Sequence, residues 1–110
     1  MERIAPIFPV RDLAVAMNFH ERLGFVVRPY HGGGYGFATW HDLEIHLGVE
    51  PDHDRRTGAA YLFVDDADRV AAEWSEVCEV HGPQDTEWGQ HEGVLVDPDG
   101  NVIRFGSPIP

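Results

Sequence analysis

The chain has 110 residues, with 19 acidic and 8 basic side chains and a formal net charge of −11 at pH 7. Its length suffices for one domain, and 43% hydrophobic residues indicate a folded chain, not a disordered one. Because carboxylates are in surplus and no basic run exists, the composition excludes nucleic acid and anionic membrane surfaces as partners. The surplus either favours a cationic ligand or serves solubility alone.

The single cysteine, Cys78, excludes an internal disulfide. Residues 1–4 lack the apolar segment of a signal peptide, and no apolar stretch approaches the length of a membrane span. These features predict a cytoplasmic protein.

The first half of the chain predicts one helix among four strands. Asp12 is a suitable N-cap, apolar residues from Leu13 onward recur on one helical face, and Gly24 suits the position after the helix end. His41 and Asp42 separate two strand patterns and predict a hairpin. The strand patterns cover 4–10, 25–30, 35–40 and 43–48.

The second half repeats this order. Val64-Asp65-Asp66-Ala67 follows Val10-Arg11-Asp12-Leu13 by 54 residues, and Asp66 is again a suitable N-cap. Asp97-Pro98-Asp99-Gly100 predicts a tight turn, and the polar segment 50–57 reads as a linker. The strand patterns cover 59–64, about 79–81, 93–96 and 101–106. The sequence therefore predicts a single α+β domain of two tandem β-α-β-β-β modules, about 1–54 and 55–110.

Each helix covers one face of its sheet, so the other face is left to line a cleft. Alternation along the strands points five side chains away from the helices: Glu44, His46, Tyr61, Phe63 and Arg104. A mixture of aromatic and charged groups is typical of a ligand-binding wall. Among the seven histidines, His46 is the strongest cleft candidate, His91 is a weaker one, and His20 is expected to pack in the core.

Several motifs resemble the vicinal oxygen chelate superfamily, which includes glyoxalases, extradiol dioxygenases and bleomycin-resistance proteins. They are Val10-Arg11-Asp12-Leu13, Arg22-Leu23-Gly24-Phe25, Val64-Asp65-Asp66-Ala67-Asp68 and Asp97-Pro98-Asp99-Gly100-Asn101. The resemblance runs from about residue 4 to residue 107. Two further stretches, 72–77 and Glu87-Trp88-Gly89, look most like the bleomycin-resistance branch. The resemblance implies curved mixed sheets around a cleft.

The resemblance also locates the metal ligands of the superfamily's enzymes, which would fall on Ala5, Ala59 and Arg104, with Glu44 as a fourth. Alanine has no donor atom and a guanidinium does not coordinate a cation. We therefore expect no metal, no cofactor and no catalytic residue. Opposite charges at these positions instead suggest an ion pair between Glu44 and Arg104.

The bleomycin-resistance branch implies an intertwined homodimer with each cleft between modules of different chains. Four aromatic side chains are expected to converge there: Trp88, Tyr30, Tyr35 and Tyr61. The carboxylates around Trp88, which are Asp85, Glu87 and Glu92, are assigned to a cationic ligand. The expected function is non-enzymatic sequestration of a planar, cationic small molecule, most concretely a bleomycin-type antibiotic. The alternative is a metal-dependent lyase or dioxygenase that uses His46, Glu44 and ligands elsewhere.

Overall fold

A computed structural model describes residues 3–30, 32–50 and 57–110. The first module contains β1 (Ile7–Val10), α1 (Leu13–Arg22), β2 (Val26–Pro29), β3 (Tyr35–Trp40) and β4 (Leu43–Val49). The second module contains β5 (Ala59–Phe63), α2 (Ala67–Trp74), β6 (Val80–Asp85), β7 (Gln90–Val96) and β8 (Val102–Pro108). The α+β fold of tandem β-α-β-β-β modules is confirmed. The predicted boundary near residues 54 and 55 lies outside the described residues.

Each module forms its own four-stranded mixed sheet. The strand orders are β1-β4-β3-β2 and β5-β8-β7-β6. In both sheets the strand before the helix pairs in parallel with the last strand of the module, and the other neighbours are antiparallel. This shared register gives the two open faces equivalent positions.

Both helices begin at the predicted caps. The side chain of Asp12 accepts a hydrogen bond from the backbone N–H of Val15, and Asp66 accepts one from Arg69, each at 3.1 Å. Gly24, just after α1, has a φ of 105°, a conformation that favours glycine. Helix α2 ends at Trp74.

One apolar core runs through both modules. Trp74 is fully buried, and its indole N–H donates to the carbonyl of Leu23 at 2.8 Å, which ties α2 to the end of α1. The Trp74 ring also packs against Phe25 and Trp40 of the first module. This tryptophan therefore joins the modules at one end of their shared core.

The predicted turn at 97–100 forms a second joint between the modules. Asp97 accepts hydrogen bonds from the backbone N–H groups of Asp99 and Asn101, at 2.9 and 2.7 Å. The carboxylate of Asp99 accepts from the backbone N–H of Arg11 at 2.9 Å, and the Asn101 amide donates to the carbonyl of Pro9 at 2.9 Å. The turn thus reaches the first module directly.

Three strands are longer than their sequence patterns predict. Strand β6 extends to Asp85, β7 begins at Gln90, and β8 continues to Pro108. These extensions are polar, and backbone pairing with neighbouring strands holds them, for example between Asp85 and His91. Neither helix of the described part of the chain is long and apolar enough to cross a membrane.

Candidate functional site

The open face of the first module carries half-buried polar and aromatic side chains. Strands β3 and β4 alternate, so Ala38, Ile45 and Leu47 pack inward. The residues between them point outward and include Tyr35, Phe37, Glu44 and His46. Glu44 and His46 thus share the face that the sequence predicted for them.

Three of these side chains form a hydrogen-bonded chain. Nε2 of His46 lies 3.1 Å from a carboxylate oxygen of Glu44, and Nδ1 lies 2.8 Å from the hydroxyl of Tyr35. A carboxylate only accepts, so in the neutral imidazole Nε2 carries the proton and donates to Glu44. Nδ1 then accepts from the Tyr35 hydroxyl. The chain fixes all three side chains in one orientation.

Positive charges near these three hydrogen-bonded side chains stabilise the ionised carboxylate of Glu44. The hydrogen bond from His46, together with the nearby charges of Arg3 and Arg28, lowers the pKa of Glu44. The guanidinium of Arg3 lies 3.4 Å from the same carboxylate. Partial burial and the charge of Glu44 raise the pKa of Tyr35. The face therefore presents a fixed negative charge beside a neutral phenol.

Phe37, absent from the sequence-based set of site residues, lies at the centre of the aromatic group on this face. Its ring contacts those of Tyr30, Tyr35 and His46, with centroid separations of 6.1, 5.7 and 4.9 Å. The guanidinium of Arg28 lies 4.2 Å above it. Alternation from Tyr35 along the predicted strand is a signal that points to Phe37.

The open face of the second module centres on Glu92. Its carboxylate, 11% exposed, lies 3.5 Å from the guanidinium of Arg104 and accepts a 3.4 Å hydrogen bond from the indole of Trp88. Trp88 sits in the turn between β6 and β7 with 68% of its surface exposed. Phe63, also on this face, is 75% exposed. This face therefore offers uncovered aromatic surface beside a carboxylate.

The ring of Tyr61 occupies space that is free because Gly106 has no side chain. A Cβ at Gly106 would overlap the Tyr61 hydroxyl and lie 3.2 Å from Cζ of the same ring. Burial and the neighbouring Glu92 raise the pKa of Tyr61 to about 12, although Arg104 opposes this shift. The phenol is therefore neutral at physiological pH.

The structure corrects two expectations about ionisable residues. The predicted ion pair between Glu44 and Arg104 is wrong, because Glu44 pairs with Arg3 and His46 while Arg104 pairs with Glu92. These two residues belong to different sheets, and each pairs with a residue of its own half of the chain. His91 faces helix α2 and not the open face, since its ring bonds to Asp68.

Carboxylates near Trp88 are also arranged differently from the expected cluster. Glu92 lies against Trp88, whereas Glu87 is an exposed turn residue. Asp85 bonds to His91. Of the three expected carboxylates, only that of Glu92 thus lies beside the indole of Trp88.

The predicted aromatic residues form two groups within one chain. Tyr30 and Tyr35 share the first face with Phe37, whereas Tyr61 contacts Phe63 on the second sheet at a centroid distance of 5.0 Å. Trp88 stands at the turn of the second module. A cavity of about 180 Å³ between the modules is lined by residues of both, including Glu44 and Tyr61.

The residues at the superfamily's metal positions do not fit a metal ion. Ala5 and Ala59 have no donor atoms, and Arg104 brings a positive charge that Glu92 pairs. Glu44 is the one donor in the set, and His46 and Arg3 engage it. Three or more protein ligands are usual for such sites. Across the described ranges, no group of three or more His, Cys, Asp or Glu side chains is placed to hold a metal.

Known proteins resemble this chain along its whole length. No protein-family model matches it. A bleomycin resistance protein from Klebsiella pneumoniae is 28% identical over 119 residues, which cover 94% of this chain and 90% of that protein.

Solved structures give the same picture. A bleomycin-binding protein in complex with bleomycin superposes with a TM-score of 0.86 and 25% identity, over 99% of this chain and 100% of that one. A bleomycin resistance determinant encoded on the transposon Tn5 gives 0.87 and 25%, over 100% of both chains. Together with the tandem modules described above, these similarities support the resemblance of the chain to the vicinal oxygen chelate superfamily and, within it, to the bleomycin-resistance branch.

Proposed function

We propose that this chain binds a planar, cationic small molecule of the bleomycin type and protects by sequestration, without chemical conversion. The single observation that carries the proposal is the exposed indole of Trp88 beside the carboxylate of Glu92. An indole face attracts flat heteroaromatic rings and cations, and the carboxylate adds a charge for a cationic group. The similar bleomycin-binding protein that was solved with bleomycin, and the similar bleomycin resistance protein, support the same ligand class.

The charge of the whole molecule supports capture of a cation. A net charge of −11 on 110 residues produces a field that attracts positively charged ligands and raises their rate of association. The first face contributes the Glu44 carboxylate, whose lowered pKa keeps it ionised. A ligand with a cationic tail thus meets acid on both faces.

The metal positions argue against the alternative of a lyase or dioxygenase. The chemistry of those enzymes needs a ligand set that Ala5, Ala59 and Arg104 do not supply. No contact of His46 and Glu44 completes such a set in the described part of the chain, because their partners are Tyr35 and Arg3. Binding without turnover is the function that these residues support.

Calorimetric titration with metal-free bleomycin tests this function. We expect saturable binding to the wild-type chain and at least about a tenfold loss of affinity in Trp88→Ala, as for an aromatic hot spot. Trp88→Phe, which keeps a ring for stacking, should retain most of the affinity. Glu87→Gln is the matched charge control for Glu92→Gln, and Glu92→Gln should weaken binding more. Equal affinity of Trp88→Ala and wild type would contradict the proposal.

We also propose that the ligand binds between chains of an intertwined homodimer. Tyr35 and Trp88 belong to different modules, and apolar side chains such as Ile7 and Phe63 are exposed. Placing the first module of one chain against the second module of its partner would cover this surface and bring the two aromatic groups together. Light scattering should give twice the mass of one chain.

A mixed dimer distinguishes a cleft between chains from a cleft within one chain. Chains carrying Tyr35→Ala and Trp88→Ala, each with a different tag, are refolded together and the heterodimer is isolated. If each cleft uses both chains, one cleft keeps both wild-type residues, and the heterodimer binds one equivalent of bleomycin tightly. If each cleft lies within one chain, both clefts are damaged and tight binding is absent.

A further inference from the structure

His91, on the helix-facing side of the β6–β7 hairpin whose turn contains Trp88, bridges two carboxylates. Nδ1 of His91 lies 2.8 Å from Asp85, the last residue of β6, and Nε2 lies 2.9 Å from Asp68 on helix α2. Carboxylates only accept hydrogen bonds, so both contacts are satisfied together only when both ring nitrogens carry protons. The geometry is therefore that of an imidazolium between two anions.

This bridge lies on the opposite side of the hairpin from the ligand-binding face. His91 and Glu92 are neighbours on β7 and point to opposite faces, and Glu92 bonds to the Trp88 indole. Strand β6 is the outer strand of its sheet, and its pairing with β7 shifts register between His81 and Gln84. Its end at Asp85 is thus held partly by His91, which connects it to α2.

We propose that Asp68 and His91 are positioning residues that hold the β6–β7 hairpin, and with it Trp88, against helix α2 in a ligand-ready orientation while His91 is protonated. This inference rests on the proposed function for its effect on binding. When His91 loses its proton, one ring nitrogen no longer donates. Asp85 stays beside His91 through strand pairing, so the contact with Asp68 on the helix is the one that opens.

The charges around His91 determine the direction of the pH dependence. Asp68 from α2 and Asp85 from β6 face the ring, and on β8 the paired residue is Ser107, which does not titrate. The hydrogen bonds that the His91 ring donates to Asp68 and Asp85 raise the pKa of His91. The bridge is therefore complete at pH values below the raised pKa of His91 and is lost as pH rises through that pKa.

Variants with one altered carboxylate test the bridge itself. NMR titration of His91 should give a pKa above the ordinary value of 6.5 in wild type and a lower one in Asp68→Asn. Glu79→Gln is the matched control, since Glu79 lies 3.7 Å from His81 on the same strand pair without reaching α2. At pH 6, backbone amides of residues 84–90 should exchange about threefold faster in Asp68→Asn than in wild type or Glu79→Gln, the size expected for a solvent-screened pair.

A double variant separates the bridge from a general effect on the helix. In a His91→Gln background, Asp68→Asn should no longer change the exchange of residues 84–90. Bleomycin affinity should be about threefold weaker in Asp68→Asn than in wild type at pH 6 and equal in the two at pH 9. Comparing the two proteins at each pH removes the ligand's own titration.

An ordinary pKa for His91 in the wild type would overturn the inference, and so would equal effects of Asp68→Asn and Glu79→Gln on hairpin exchange. A ratio of affinities that does not change with pH would also overturn it. If wild type binds no bleomycin at any pH, the proposed function fails, and the titration and exchange results still decide whether the bridge positions the hairpin.

Discussion

A tyrosine lies against a glycine on the open face of each module, but it comes from a different strand in each. In the first module Tyr35 on β3 lies directly opposite Gly48. In the second, Glu92 takes the position opposite Gly106, and Tyr61 reaches that glycine from β5. Equivalent backbone positions therefore carry different side chains, which are the hydrogen-bonded Tyr35 in the first module and the carboxylate of Glu92 in the second.

The buried faces of the two helices also carry different residues at equivalent positions. His20 and Trp74 stand 54 residues apart at equivalent helical positions, and both are fully buried. His20 donates from Nδ1 to the carbonyl of Ala16 at 2.9 Å, within its own helix. Trp74 donates to Leu23 in the other module. At this helical position, the side chain of the first module thus bonds within its own helix, whereas that of the second module bonds to the other module.

The largest effect is expected at the tryptophan that joins the modules. Trp74→Ala leaves a cavity in the shared core and removes the bond to Leu23, so we expect the free energy of unfolding to fall by about 3–5 kcal/mol. Urea denaturation measures this loss. Trp88→Ala is the matched control, because the exposed indole should contribute less than about 0.5 kcal/mol. Similar losses in both variants would contradict the different roles of the two tryptophans.

Replacing Gly106 or Gly48 by alanine should lower the free energy of unfolding by different amounts. In Gly106→Ala the new methyl group overlaps the Tyr61 hydroxyl, and overpacking of this kind lowers the free energy of unfolding by about 1–3 kcal/mol. In Gly48→Ala the methyl group meets the Tyr35 ring at 3.3 Å, which requires only a small shift, so the loss should be smaller. Urea denaturation of both variants gives the comparison.

Removing the hydroxyl of Tyr61 should rescue the stability of the Gly106→Ala variant. Tyr61→Phe removes the atom that the new methyl group overlaps, so it should restore much of the stability lost in Gly106→Ala. If the double variant is as unstable as Gly106→Ala alone, the tyrosine is not the cause of the loss.

Local signals in the sequence determine a large part of this fold. Asp12 and Asp66 were predicted as N-caps because a short carboxylate satisfies the free N–H groups of a first turn, and both do so. Strand β3 has the predicted bounds, since its alternation is complete. Strand β6 contains Gly82 and Pro83 and has no such alternation, so pairing with β7 decides its extent.

Contacts between elements were the part that the sequence did not reveal. Alternation placed Glu44 and Arg104 correctly on the open faces of their modules but did not show which residues of opposite charge they pair with. The predicted strand contains Phe37, but alternation alone does not distinguish an aromatic residue of a site from any other outward-facing side chain. The bond between His91 and Asp68 depends on how α2 packs on its sheet, which no local pattern encodes.

A pH dependence should distinguish the two buried helix residues. Burial lowers the pKa of His20, so the unfolded chain binds a proton that the folded chain excludes. The free energy of unfolding therefore falls as pH drops below about 6.5, by at most about 1.4 kcal/mol per pH unit for this group. In His20→Leu this dependence disappears, whereas Trp74 at the equivalent position has no titration to lose.

Urea denaturation at pH 7 and pH 5.5 measures the difference between wild type and His20→Leu. Titration of His91, which has the opposite sign, is common to both proteins and cancels. An equal fall in stability for the two proteins would show that His20 is not the group responsible.

The smallest effect separates the two tyrosines of the open faces. Burial, followed by the charge of Glu44, raises the pKa of Tyr35, and burial, followed by Glu92, raises that of Tyr61 to about 12. Removing a neighbouring negative charge favours the phenolate, so Glu92→Gln should lower the pKa of Tyr61 toward 10 and Glu44→Gln that of Tyr35. NMR of ring-labelled tyrosine follows each phenol, with circular dichroism showing that the chain stays folded. Because Glu44 neighbours Tyr35 and Glu92 neighbours Tyr61, each substitution should shift the pKa of the nearer tyrosine more than that of the other, and equal shifts in both would contradict this assignment.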